Sequence, residues 1–222
     1  MNLEGFLPFW VKLTEAQRTL LRDTVRERRF ARGSVVQNTS ENCLGLLLVT
    51  GGQLRVYTVS EEGRELTLFR LFERDICLFS ASCILASFQA GVMISAQEDT
   101  TVLHIPPDVY KRLMQESAPV ANYTNELMAS RLSEVMWLLD QLQNKKMDTR
   151  IAAFLIEESR IQGSAVLAIT HEEIANHLGS AREVVTRMLR YFQSEGLIRS
   201  GRGVLTLLDE KRLLSLARKS LH

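Results

Sequence analysis

Four polar residues crowded into one stretch, Arg182, Glu183, Thr186 and Arg187, carry side chains suited to hydrogen-bonding the edge of a flat heterocycle. An arginine guanidinium pairs bidentately with guanine O6 and N7, and a glutamate accepts from cytosine N4. On a helix opening at Arg182 these residues take positions one, two, five and six, so they project to one side over two turns. Arg190 extends that side by another turn. The chemistry this permits is the reading of base edges in a DNA major groove.

The elements that must position them are written around them, from Thr170 to Leu197: THEEIANHLGSAREVVTRMLRYFQSEGL. Thr170 with Glu173 has the spacing of a capping box, and Ser180 with Glu183 repeats it, which predicts two helix starts. Ile174, Ala175 and Leu178 share a face of the first helix, and Gly179 supplies the turn that ends it. In the second, Val184, Val185, Met188, Leu189 and Phe192 recur at three and four residues and face inward. A helical hairpin with a solvated charged face would show the same two starts. The residues beyond Ser194 separate the readings: Gly196 ends the helix, Leu197-Ile198 opens a strand, Ser200-Gly201-Arg202-Gly203 turns, and Val204 to Leu207 returns. That hairpin is a wing. Between Ser180 and Gly203 stand five arginines and two acids, although the whole chain carries only +1. Phosphate contacts need this local excess rather than a high overall charge. Ser180, Arg182, Glu183, Thr186, Arg187, Arg190 and Arg202 are therefore the expected DNA-binding residues, and double-stranded DNA the expected partner.

Upstream, the segment from Phe30 to Ile105 consists of short apolar runs separated by turn residues. Residues 44–49, 54–59, 65–69 and 101–105 read as strands, joined at Gly51-Gly52 and at Glu61 to Arg64 by hairpin turns. A short helix around Thr14 to Val25 precedes them. Many short strands predict an antiparallel jelly roll able to enclose a small ligand. Pro107 suits the first turn of a helix, and Pro119 opens a long one running to about Asn144. Along it Asn125, Met128, Leu132, Val135, Leu139 and Leu142 alternate steps of three and four, the spacing of a coiled-coil seam, with Asn125 placed to fix register. Residues 120 to 144 would span roughly 37 Å at ~1.5 Å each, enough for a homodimer axis. Met136, Trp137, Leu138 and Leu127 are expected to pack on the flanking barrel instead. Lys145 to Asp148 reads as a hinge, with Asp148 capping the next helix.

The length, 222 residues with 45% apolar and 24% charged, suits a folded globular protein with substantial cores. No apolar run nears the ~20 residues that span a bilayer and no leader pattern opens the chain, which predicts a cytoplasmic protein without a membrane partner. Three cysteines argue against a disulfide framework.

In its order of barrel, long seam helix and winged helix-turn-helix, the chain resembles the bacterial Crp/Fnr family of transcription regulators. The sharpest part is EEIANHLGSAREVVTRMLRYFQSEGLI; in the barrel the likeness rests on the Gly63-Arg64-Glu65-Leu66 hairpin and glycine spacing. The resemblance implies an α+β fold with a cyclic-nucleotide-binding-like jelly roll over 1–117, a dimerisation helix and hinge over 118–146, and a DNA-binding domain over 147–222. It also implies a transcription regulator that is not an enzyme, with RNA polymerase as a further candidate partner. Arg182, Glu183 and Arg187, with Thr186 beside them, are similar to the base readers of the cyclic-AMP receptor branch, which implies a TGTGA-like inverted repeat.

The implied effector departs from that branch. Ala90-Gly91 stands where cyclic-nucleotide binders carry an Arg-Ser pair, and a buried phosphate without a cation loses its main partner. Val135 and Met136 stand where adenine contacts would want hydroxyls. Cyclic AMP is thus argued against, as is an iron-sulfur cluster, since the first cysteine is Cys43. ICLFSASC is similar to a haem-bound, carbon-monoxide-sensing branch, but Phe79 replaces the histidine that branch uses. No cofactor is firmly implied and the effector stays unidentified. Cys77, Ser80, Ser82 and Cys83 are its candidate contacts, as a thiol pair that oxidises reversibly or as a polar pocket; the two cysteines would serve equally as small core residues. Two other classes fit less: a cupin-like metalloenzyme, for which the barrel offers only His104, expected at a sheet edge, and a regulator with an effector-free barrel. No metal site is expected.

Overall fold

A computed structural model describes residues 3–37, 44–78 and 91–218. Two compact units divide them: the described parts of 1–58 and 68–135 form one, and 59–67 with the described parts of 136–222 form the other.

The first unit opens with helix α1 (Glu15–Thr24), started by a capping box between Thr14 and Gln17. Strands follow as β1 (Arg26–Phe30), β2 (Val35–Gln37), β3 (Leu46–Gly51), β4 (Leu54–Val59), β5 (Glu65–Leu71), β6 (Ile76–Cys77), β7 (Val92–Ala96) and β8 (Thr100–Ile105). They make two sheets, ordered β1-β8-β3-β6 and β2-β7-β4-β5. Leu47, Val49, Cys77 and Val102 of the first sheet pack against Leu54, Val56, Ile94 and Ala96 of the second, which forms the barrel core. The other face of the first sheet, Leu46, Leu48, Leu103 and Ile105, is covered by Leu7, Trp10, Leu21 and the helix that follows β8. Burial on both faces explains why Leu46 to Val49 reads as an unbroken apolar run rather than an alternation. Gly52, at φ +81°, makes the β3–β4 turn, where a Cβ would lie 2.5 Å from the Asp99 carbonyl.

His104 sits on β8, between β1 and β3, and so lies inside the sheet rather than at its edge as expected. A strand that reads like any other in sequence became central because β1, whose RERRF sequence conceals a strand, pairs along its outer side. The imidazole Nε2 meets the Leu44 carbonyl, and burial lowers its pKa.

Pro107 opens α2 (Pro107–Glu116), and α3 (Ala118–Asn144) runs for 27 residues. Tyr110 joins them through a 2.7 Å hydrogen bond to Thr124, and burial pushes its phenol up to about 12. The barrel-facing side of α3 is marked by Thr124, Leu127 and Arg131, the last stacked 4.8 Å from the Phe69 ring centroid and paired with Glu134 at 2.8 Å. Met136 and Trp137, expected to pack on the barrel, are instead 57% and 45% exposed. At ~100° per residue Met136 is about 140° round the helix from Arg131, so it joins the apolar stripe and not the packed side.

The second unit contains α4 (Met147–Gln162), β9 (Val166–Leu167), α5 (His171–Leu178), α6 (Arg182–Ser194), β10 (Ile198–Gly201), β11 (Val204–Leu207) and α7 (Glu210–Ala217). Ile151, Leu155, Ile174, Val185, Leu189, Phe192, Leu205 and Leu213 meet in its core. Only Lys145 and Lys146 separate α3 from α4. Asp148 falls inside the first turn of α4, with Lys146 at the cap position, so the expected Asp148 cap is not formed; its Oδ1 accepts from the Thr149 amide at 2.7 Å instead.

Candidate nucleic-acid interface

The first start forms as its residues dictate. Thr170 Oγ1 accepts from the Glu173 amide at 3.1 Å, and Glu173 Oε2 accepts from the Thr170 amide at 2.7 Å. Helix α5 ends at Gly179 in the left-handed region, φ +63°. The backbone there favours glycine, and a Cβ would lie 2.9 Å from Leu66 Cδ1, a flexible side-chain end that would have to move aside. Arg150 on α4 adds a support that the sequence did not announce. This nearly buried guanidinium donates from Nη2 to the Leu178 carbonyl at 2.5 Å, satisfying an acceptor that the end of α5 leaves open.

The second expected start is shifted. Ser180 is taken up in closing α5, its amide donating to the Ala175 carbonyl at 3.0 Å, and the cap position of α6 falls on Ala181, without a side-chain hydrogen bond. The Ser180–Glu183 box is therefore not formed, and Glu183 stays exposed in the first turn of α6. Ser180 itself is half-buried between the two helices.

Helix α6 buries Val185, Leu189 and Phe192, half-buries Val184 and Met188, and exposes Arg182, Glu183, Arg187 and Arg190. Thr186 is half-buried among them. Those four charged residues and Thr186 line an open depression of about 360 Å³. Arg182 also lies 3.7 Å from Glu172; both groups are well exposed, so the pair is screened and weak, and the arginine is available to another partner.

The wing forms as expected between β10 and β11, in register from Ile198↔Leu207 to Gly201↔Val204, around Arg202-Gly203 with Gly203 at φ +70°. Strand β9 extends it to three strands. Arg202 stands exposed at its tip. A cavity of about 440 Å³ lies between the wing and the two helix starts, lined by Thr170, His171, Glu172, Arg182, Ser200 and Arg202 among others. His171, which sequence reasoning assigned only to the motif, bridges three elements here. Its Nδ1 is 3.0 Å from Thr186 Oγ1 and its Nε2 is 3.3 Å from Ser200 Oγ. Burial first, and then Arg182 and Arg190, lower its pKa.

The remaining expected site residues lie elsewhere. Cys77 is fully buried in the barrel core opposite Leu47; Ser80, Ser82 and Cys83 fall outside the described residues. On α3, Met128, Leu132, Leu139 and Leu142 are 37–64% exposed, Asn125 is exposed and Val135 is half-buried. Among the described residues, no group of three or more histidine, cysteine, aspartate or glutamate side chains is placed to hold a metal ion, and no helix is long and apolar enough to cross a membrane.

Residues 149–216 match the model of the Crp-like helix-turn-helix domain, and residues 27–117 that of the cyclic nucleotide-binding domain. The chain is 31% identical over 179 residues to the transcriptional regulator SdrP of Thermus thermophilus, covering 76% of this chain and 82% of that protein. It belongs to the Crp/Fnr family. Another relative is the cyclic AMP receptor protein of the same organism, 28% identical over 192 residues, with 86% and 88% covered. Among solved structures, a transcriptional regulator of the Crp/Fnr family from Eubacterium rectale is 54% identical, superposes with a TM-score of 0.94, and covers 96% of this chain and 99% of that one. The protein is thus a DNA-binding transcription regulator of the Crp/Fnr type, and the helix-turn-helix and wing are its DNA-binding domain.

Proposed function

We propose that the protein acts as a homodimer that reads a TGTGA-like inverted repeat and responds to an effector that is neither cyclic AMP nor an iron-sulfur cluster. The observation that carries the reading is the outer side of α6, where Arg182, Glu183 and Arg187 stand exposed over two turns beside a wing tipped by Arg202. Arginine and glutamate there fit the guanines and cytosines of such a site, and the wing arginine fits the flanking phosphates. The exposed apolar stripe of α3, from Met128 to Leu142, supports pairing with a second copy, because water would otherwise cover several leucine and methionine side chains along one face. A pair of recognition helices would then meet half-sites about 34 Å apart.

The domains assigned to these tasks are 1–117 for sensing, 118–146 for pairing and 147–222 for DNA. Fluorescence anisotropy on a TGTGA-N6-TCACA duplex against a scrambled duplex tests the operator, with sedimentation for the dimer. Equal binding to both duplexes would exclude the proposed site.

A further inference from the structure

We infer that His171 sets the rotamer of Thr186 so that Thr186 offers its methyl group, not its hydroxyl, to the 5-methyl of a thymine in each half-site. This rests on α6 being the base-reading helix. Among the described residues that line the depression on α6, Thr186 is the one without a charge, and it lies between Glu183 and Arg187 on the same side. A helical threonine divides between χ1 rotamers because its hydroxyl can turn back to bond a carbonyl of the preceding turn. Here the hydroxyl has another partner, His171 Nδ1 at 3.0 Å.

The opposite ring nitrogen of His171 lies 3.3 Å from Ser200 Oγ on β10, so the imidazole is held from the wing side as well. A ring held at both ends cannot swing away, and the branch of Thr186 bonded to it stays with it. The branch left for the groove is the methyl. Apolar contact with the thymine methyl is the base readout a threonine methyl performs, and it discriminates thymine from every base lacking that group. His171 is accordingly a positioning residue and Thr186 a specificity-determining one.

The test uses the full-length protein and duplexes in which single thymines are replaced by uracil, which removes the methyl and keeps every hydrogen-bonding edge. The operator is first selected by enrichment from a random duplex library. A selected site without the TGTGA pattern would count against the proposed operator alone, while the uracil test proceeds on whatever site is recovered. At one thymine per half-site, uracil in both half-sites should weaken wild-type binding about tenfold, from roughly three- to fourfold per methyl contact. Thr186→Ser, which keeps the hydroxyl, should bring the uracil-to-thymine ratio close to one. His171→Ala should lower the same ratio, and adding Thr186→Val, which carries methyls on both branches, should restore it. Restoration is the readout a merely structural histidine would not produce. A selected half-site without thymine, wild-type indifference to uracil at every position, or a full ratio retained by Thr186→Ser or by His171→Ala would overturn the inference. Where His171→Ala fails to fold, the near-isosteric Thr186→Ser and Thr186→Val decide it, since only the former should lose the ratio.

Discussion

Helices α3 and α6 each leave one face uncovered, and the two faces are opposite in kind. On α6 the uncovered side is Arg182, Glu183, Arg187 and Arg190; on α3 it is Met128, Leu132, Met136, Leu139 and Leu142. A charged face is at ease in water and exchanges it for phosphates and base edges when DNA arrives. An apolar face is not at ease there and gains by covering itself. The difference teaches what each face can do: the charged one suits a partner met through electrostatics and hydrogen bonds, the apolar one suits the proposed second copy, met through buried area.

The largest expected effect lies on the apolar side. In the proposed dimer, Leu139→Glu would remove a leucine from both copies of the seam and set like charges in it, costing about 3–6 kcal/mol per dimer by the worth of burying two leucines. Sedimentation should show a monomer, and an unchanged dimer would place the interface elsewhere. Next, on the charged side, Arg187→Ala should lose about 1–3 kcal/mol at the cognate guanine and relax preference there. Uniform weakening on every sequence would instead mark Arg187 as a phosphate contact.

Smaller still is the support beneath the reading face. Thr170→Ala should lower stability by about 1 kcal/mol in denaturant unfolding through loss of the α5 cap, with the dimer untouched. Salt then separates the two faces. DNA affinity should fall steeply between about 50 and 200 mM salt on a double-logarithmic plot, with Arg202→Ala reducing the slope by about one, while dimer affinity should barely move. A strongly salt-dependent dimer would break the comparison.

The smallest effect is one of acidity. Burial and the neighbouring arginines hold His171 below the usual histidine value of 6.5. As pH falls through 6.5 the unfolded chain takes up a proton that the native His171 refuses, so stability is lost between 6.5 and the lower native value, and is fully present above 6.5. Unfolding midpoints should drop across that window, and the drop should be shallower in His171→Asn. Helix α3 carries no histidine, so the seam should be level over the same range.

How far the sequence could be read differs between particular residues. The Thr170–Glu173 box, the Gly179 turn, the inward spacing of Val185, Leu189 and Phe192 and the wing were all legible, as was the apolar stripe along α3. Each depends on neighbours only a few positions away. Strand β1 was hidden because RERRF is charged and mostly exposed, and β6 because two residues carry no period. The start of α6 moved from Ser180 to Ala181 because the closing turn of α5 claimed Ser180 first. Met136 and Trp137 were misplaced because their facing depends on which flank of α3 docks, and Thr124 and Arg131 settled that.

By itself, then, the sequence determined where α5 begins and ends, which face of α6 is charged, and that short strand-forming runs and one long helix precede them. Those features rest on hydrogen bonds and side-chain spacings within about four residues, which chain order alone dictates. Tertiary structure decided what Arg150, His171 and His104 touch. His171 meets partners 15 and 29 residues away, Arg150 one 28 away, and His104 one 60 away. Such contacts exist only after remote elements have docked, because the loop closures that bring them together are driven by burial of the whole core and leave no local pattern in the chain.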